Sequence, residues 1–99
     1  MANRIISWSK SAATQFESAI TYIASDSVVN AEKISGDIIK ELNKTLNNPG
    51  FFPQDKYKLN NDGSYRAFEK HRYRVAYRYS GNVIRVLRIR HTSREPKEY

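Results

Sequence analysis

The sequence predicts an α+β fold of order β-α-α-β-β-β: an N-terminal strand, then an antiparallel helix hairpin packed on one face of a curved, mainly antiparallel sheet. Two observations carry this expectation. In the first half, apolar residues recur at helical spacing over two successive stretches; in the second half, period-two alternation punctuated by turn residues takes over. Pro49-Gly50 separates the two regimes, as Pro and Gly stop a helix.

Each element has its own signal. Residues 1–8 hold the first strand, read over 3–8, where Ile5 and Ile6 are β-branched and Trp8 suits a sheet. Residues 9–48 form the hairpin. Ser9 or Ser11 caps its first helix, whose apolar stripe is Ala12, Phe16, Ala19, Ile20 and Ile23. Asp26 or Ser27 caps the second, with the stripe Ala31, Ile34, Ile38, Ile39, Leu42 and Leu46 running to about Asn47. Residues 51–63 read as a loop containing Pro53 and the turn signal Asn60-Asn61-Asp62-Gly63.

A three-stranded meander follows over 64–91. Its strands are expected at 64–70, 73–79 and 83–91, joined at His71-Arg72 and at Ser80-Gly81-Asn82. In the middle strand Tyr73, Val75, Tyr77 and Tyr79 take one face, and Arg74, Ala76 and Arg78 the other. The last strand has no clean phase, since Val83, Ile84, Val86, Leu87 and Ile89 occupy both faces; burial of its start on both sides accounts for that. Residues 92–99 are a charged tail on which Glu95 and Glu98 balance Lys97. The helices cover one sheet face, and the face carrying Arg74 and Arg78 is left open.

Size and composition narrow the function classes. The 99 residues make one domain without repeats. There is no Cys, hence no disulfide framework and no thiolate metal site, and two His (His71, His91) are too few for a His-rich one. The N-terminus lacks the apolar run of a signal peptide, and no segment reaches the roughly 18 apolar residues of a membrane span. A cytoplasmic protein with no cofactor, no metal and no membrane partner is expected. No P-loop, dinucleotide fingerprint or G-x-S-x-G motif occurs.

The charge is lopsided. Residues 1–50 carry five Lys/Arg and five acids; residues 51–99 carry twelve and five, so the whole net charge of +7 lies there. Between Arg66 and Arg94 stand eight Arg and one Lys against Glu69 alone, interleaved with Tyr65, Phe68, Tyr73, Tyr77 and Tyr79. Clustered guanidinium forks suit phosphates, and aromatics suit bases. The expected partner is polyanionic: RNA, DNA or an acidic protein segment.

The ordered set of elements resembles the RelE/ParE family of bacterial toxins from type II toxin–antitoxin modules. The matching pieces are Trp8-Ser9 leading to Ala12-Ala13, Tyr22-Ile23-Ala24, Asn30-Ala31, Pro49, Tyr65-Arg66, Tyr73-Arg74-Val75-Ala76-Tyr77, and Val86-Leu87-Arg88-Ile89 leading to His91 and Arg94. The resemblance implies a growth-arresting toxin neutralised by a cognate antitoxin with an acidic or amphipathic segment. It also implies one of two targets: metal-independent cleavage of mRNA on the ribosome, or poisoning of DNA gyrase without nuclease activity. The helical half looks more like the gyrase branch; the basic sheet and the closing Tyr99 look more like the RNA-cleaving branch. Outside the family, a small non-catalytic nucleic-acid-binding module also fits the basic block.

RNA cleavage without a metal needs a base, cations for the phosphorane and an acid. The leading expectation is an endoribonuclease in which the resemblance makes Arg74 a phosphate-stabilising residue, with His91 and Tyr99 as the proton-transfer candidates. Arg66, Arg78, Arg88, Arg90 and Arg94 are expected to bind nucleic acid. Phe68 departs from that branch, which often has a second basic residue there. On the open face, Arg74 is expected to be replaceable by Ala without unfolding. Glu69 is expected to pair with Arg72 or Arg85, and His71 to be a structural turn residue.

Overall fold

A computed structural model describes residues 3–94 and 96–99. Residues 1 and 2 of the first expected strand segment, and Glu95 of the tail, lie outside the described residues. The order is β1 (Ile5–Trp8), α1 (Lys10–Ala24), α2 (Val28–Asn47), β2 (Tyr65–Lys70), β3 (Tyr73–Ser80) and β4 (Val83–His91), as the sequence predicts. The strands form one sheet in the order β1-β4-β3-β2. β1 runs parallel to β4, and the other two pairings are antiparallel. No helix among the described residues is long and apolar enough to cross a membrane.

Both helices start where a hydroxyl can hold them. Ser9 accepts from the Ala12 amide at 3.0 Å and Ser27 from the Asn30 amide at 3.1 Å; such caps are worth about 1 kcal/mol each. The hairpin then lays Ala12, Ile38 and Leu42 on the sheet residues Phe68, Tyr73, Val75, Tyr77, Ile84, Val86 and Ile89. Thr45 joins this layer fully buried, its hydroxyl donating to the Leu42 carbonyl at 2.6 Å, while Ile39, expected on the stripe, stands at the surface.

The uneven phase of β4 has a cause other than burial on both sides. The register steps from Ala76↔Arg88 to Tyr77↔Val86, so Leu87 is an extra residue, a β-bulge. The bulge keeps Ile84, Val86 and Ile89 on the core side even though their spacing changes from two to three. It also positions the first helix. The Ser9 hydroxyl donates to the Leu87 carbonyl at 3.0 Å, and the Ile89 amide donates to Gln15 Oε1 at 2.7 Å. Beyond Trp8, where β1 ends, α1 side chains therefore take over pairing along that edge of β4.

The β2–β3 turn is made by His71 (φ 50°) and Arg72 (φ 67°). Two left-handed residues suit the twist of a tight hairpin, but neither is Gly or Asn. His71 is fixed by Asp37 of α2, with Nε2 and Oδ2 2.6 Å apart, so it is structural as expected. The His71 bond holds the Asp37 carboxyl below its ordinary range.

Candidate functional site

The face away from the helices carries an arginine ladder. Cross-strand pairing puts Arg74 opposite Arg90, Ala76 opposite Arg88 and Arg78 opposite Arg85, so five arginines share one face of β3 and β4. Arg66 is not among them. It pairs with Tyr77, which places it on the helix side, and its guanidinium donates to the Gly63 and Phe52 carbonyls at 2.9 and 3.1 Å. It ties down the loop 51–63.

The ladder is not open. The loop 51–63 and the C-terminus fold over its Arg74 end, around Asp55. That carboxylate is wholly buried and is fully occupied. Oδ1 accepts from Arg74 at 2.8 Å and from the Tyr57 amide at 3.1 Å; Oδ2 accepts from the Tyr99 hydroxyl at 2.7 Å. The Tyr99 amide donates to the Tyr57 carbonyl at 3.0 Å, and the Leu59 amide donates to the Tyr99 carbonyl at 2.7 Å. The tail is thus hydrogen-bonded to the loop like an extra short strand.

These contacts set the electrostatics. Burial raises the Asp55 pKa, but the Tyr99 and Arg74 bonds lower it more, and the net shift is downward. Arg74 is pushed up because its bonds to Asp55 and Glu69 outweigh the burial that opposes its charge. Burial, reinforced by the Asp55 carboxylate, drives the Tyr99 hydroxyl well above its ordinary value. A buried charge stays charged only when such partners replace its water.

Arg74 is therefore held from three sides. Asp55 is 2.8 Å away, Glu69 is 3.1 Å away, and the Tyr57 ring lies 4.8 Å beneath the guanidinium. Three expectations change here. Glu69 pairs with Arg74 rather than with Arg72 or Arg85. The face is latched rather than open, because a buried Asp in the loop attracts both the strand arginine and the terminal Tyr. Replacing Arg74 by Ala would leave the Asp55 charge buried without its cation, so it is not a neutral surface change.

The remaining predicted residues fall into two groups. Arg88 stacks on Tyr99 at 4.1 Å and donates to the Lys97 carbonyl at 2.6 Å. Arg78 stacks on Tyr65 at 5.0 Å and donates to the Ser64 hydroxyl at 3.2 Å. His91 is at the end of β4, edge-on to Tyr73, with Nδ1 2.7 Å from the Ser93 hydroxyl. Arg90, His91 and Arg94 line a pocket of ≈ 70 Å³ together with Arg74 and Arg88. Tyr99 is directed at Asp55. The fold brings Arg74 and Tyr99 onto one carboxylate and leaves His91 on the pocket rim. Among the described residues no cluster of His, Asp or Glu could hold a metal ion.

Asp55 is the residue that sequence reasoning missed. A signal was present: between 51 and 94 only Asp55, Asp62 and Glu69 stand against eleven basic residues. In such a field each acid is a candidate ion-pair centre.

The fold and site define a small basic α+β domain whose arginine face is latched by its own C-terminus. The family model described as the ParE toxin of type II toxin–antitoxin system, parDE, matches residues 6–96, and the chain belongs to that family. Among solved structures it resembles a chain titled "Chromosomal ParDE TA system from P. aeruginosa", with a TM-score of 0.68 at 17% identity, covering 92% of this chain and 98% of that one. No curated protein matches the sequence.

Proposed function

We propose that this chain arrests growth by inhibiting DNA gyrase without nuclease activity, and that a cognate antitoxin carrying an acidic segment neutralises it. The observation that supports the target is the state of the three residues required for RNA chemistry. Arg74 is already neutralised by Asp55 and Glu69. The Tyr99 hydroxyl is committed to a carboxylate, and its raised pKa makes it a poor proton donor at neutral pH. His91 is bonded to Ser93 at the rim. A phosphorane clamp needs donors aimed at the developing charge, and Arg74 spends its donors internally. Membership of the ParE toxin family points the same way. The antitoxin reading draws on the uncompensated +7 and on its confinement to residues 51–99.

The test is a pair of assays on one purified preparation. Added to gyrase and relaxed plasmid, the protein abolishes supercoiling; added to a translating extract, it creates no new mRNA ends. Intact supercoiling together with new ends within codons on the ribosome restores the mRNA-cleavage reading. No effect in either assay leaves the plain nucleic-acid-binding module.

A further inference from the structure

Four of the five ladder arginines are held by bonds to the protein. Arg74 is fixed by Asp55 and Glu69, Arg78 by Ser64, and Arg88 by the Lys97 carbonyl. Arg85 donates to the Ser7 hydroxyl at 2.6 Å and the Trp8 carbonyl at 3.2 Å. Arg90 differs. Among the described residues its side chain has no hydrogen-bond or ion-pair partner, and its Nε is shut off from water without an acceptor. The Nε of its cross-strand neighbour Arg74 is in the same condition.

Like charges directly opposite on a sheet repel, and a buried donor without an acceptor costs free energy. An oxyanion in the pocket that both residues line offsets the repulsion, while the two Nε atoms, sealed from solvent, stay out of its reach. The ≈ 70 Å³ pocket they share is bounded by Arg88, Arg94 and Thr92, and among the described residues Glu69 is its one carboxylate, already bonded to Arg74. The pocket's lining is rich in guanidinium groups, which makes a phosphoryl group its fitting occupant. A guanidinium fork suits such a group.

The neighbouring aromatics indicate which phosphate. Readers of single strands stack bases on free aromatic faces. Here the rings on this face are occupied by the protein's own cations: Tyr57 by Arg74, Tyr65 by Lys58 and Arg78, Tyr99 by Lys58 and Arg88. What remains is a rigid array of guanidinium groups. From residue 74 to 78 it extends about 13 Å at roughly 3.3 Å per residue, close to the ~12 Å width of a B-DNA major groove. An array of charges without stacking platforms fits backbone contact to a duplex.

We propose that Arg90, with Arg88 and Arg94, forms a phosphate-binding pocket beside the Arg74 latch, and that the arginine ladder docks against the backbone of duplex DNA. The choice of DNA rests on the gyrase reading above, since gyrase holds a DNA duplex that an inhibitor can touch at the same time. The target protein is then met by another surface, and the ladder adds an electrostatic contact to its DNA.

The experiment is a fluorescence-anisotropy titration of the full chain with a labelled DNA duplex over a range of salt, for wild type, Arg90→Gln and a charge-matched control, Lys40→Gln on the exposed face of α2. One phosphate contact contributes a slope of about 0.9 in log K against log salt, so at ~0.1 M salt its loss weakens binding roughly eightfold relative to 1 M. Arg90→Gln is expected to show that loss and a slope shallower by about 0.9; Lys40→Gln is expected to change both by less than half as much. Arg90→Lys, which keeps the charge but not the fork, is expected to fall between and to keep the slope; it replaces Arg90→Gln if the latter lacks a thermal transition. Equal behaviour of the position-90 variant and Lys40→Gln overturns the pocket. Tighter binding of single-stranded RNA than of the duplex overturns the DNA assignment. Supercoiling assayed in parallel separates the two readings. Wild type that binds duplex through Arg90 while gyrase stays active removes the target and keeps the pocket. Gyrase inhibition with position 90 behaving like the control removes the pocket and keeps the target.

Discussion

The two faces of this sheet are stabilised by different physics. On the helix side, side chains such as Leu42, Val75, Ile84 and Val86 are sealed from water with no polar bonds to make. On the arginine side, stability depends on one buried carboxylate that binds a strand arginine and the last residue of the chain. The first face loses stability in proportion to the volume removed; the second loses it all at once when its hub goes. On the basic face Arg74 belongs to the latch, while Arg90, beside it, has no side-chain partner among the described residues.

The largest expected effect is at the hub. Asp55→Ala leaves Arg74 with Glu69 alone and Tyr99 without an acceptor, a loss of about 3–5 kcal/mol. At about 4–8 °C per kcal/mol for a domain of this size, the melting temperature falls by more than ~12 °C in a calorimetric scan. A change under ~1 kcal/mol breaks the comparison, since the basic face would then need no hub. The same carboxylate gives a pH signature. Its folded pKa is depressed below the unfolded value of about 3.9. Its contribution is therefore complete above roughly pH 4 and is lost as pH falls through the folded value. Urea midpoints measured from neutral to acid pH should drop more steeply in wild type than in Asp55→Ala.

On the other face, Leu42→Ala is expected to cost about 2–5 kcal/mol, with the same acid dependence as wild type. If its urea midpoints lose the acid step, the two faces are coupled more tightly than their separate packing implies.

Smaller effects sharpen the picture. Tyr99→Phe removes one hydroxyl from Asp55 and keeps the ring under Arg88, so denaturant titration should show a loss of about 1–2 kcal/mol. No loss at all would mean that the tail is held by its backbone bonds to Tyr57 and Leu59. Arg72→Gly is the smallest. Arg72 has φ 67° and an exposed side chain, and Gly relieves a left-handed conformation worth about 1 kcal/mol. A slight rise in melting temperature is expected; a fall would mean that Arg72 makes a contact its exposure does not suggest.

Much of the fold was legible because it rests on short-range regularities. Ser9 and Ser27 stand at the caps, the apolar stripes mark both helices, and Tyr73-Arg74-Val75-Ala76-Tyr77 alternates as a strand must. What escaped notice depends on pairings distant in the chain. Leu87 is invisible as a bulge because only the register against Ala76 and Tyr77 defines it. Asp55 lies in a loop with no periodicity, and its partners are 19 and 44 residues away. The aromatics of the basic block were legible as stackers, but their stacking partners turn out to be the chain's own Lys and Arg. Periodicity reports which face a residue takes; it does not report which loop will cover that face.

A structural latch at Arg74–Asp55–Tyr99 and the proposed gyrase target are tested together by gyrase supercoiling titrated with wild type and with folded Tyr99→Phe, each protein also added to a translating extract. The two proteins should inhibit supercoiling at the same concentrations and leave mRNA intact. Unimpaired supercoiling, with new mRNA ends that wild type produces and Tyr99→Phe does not, would contradict both.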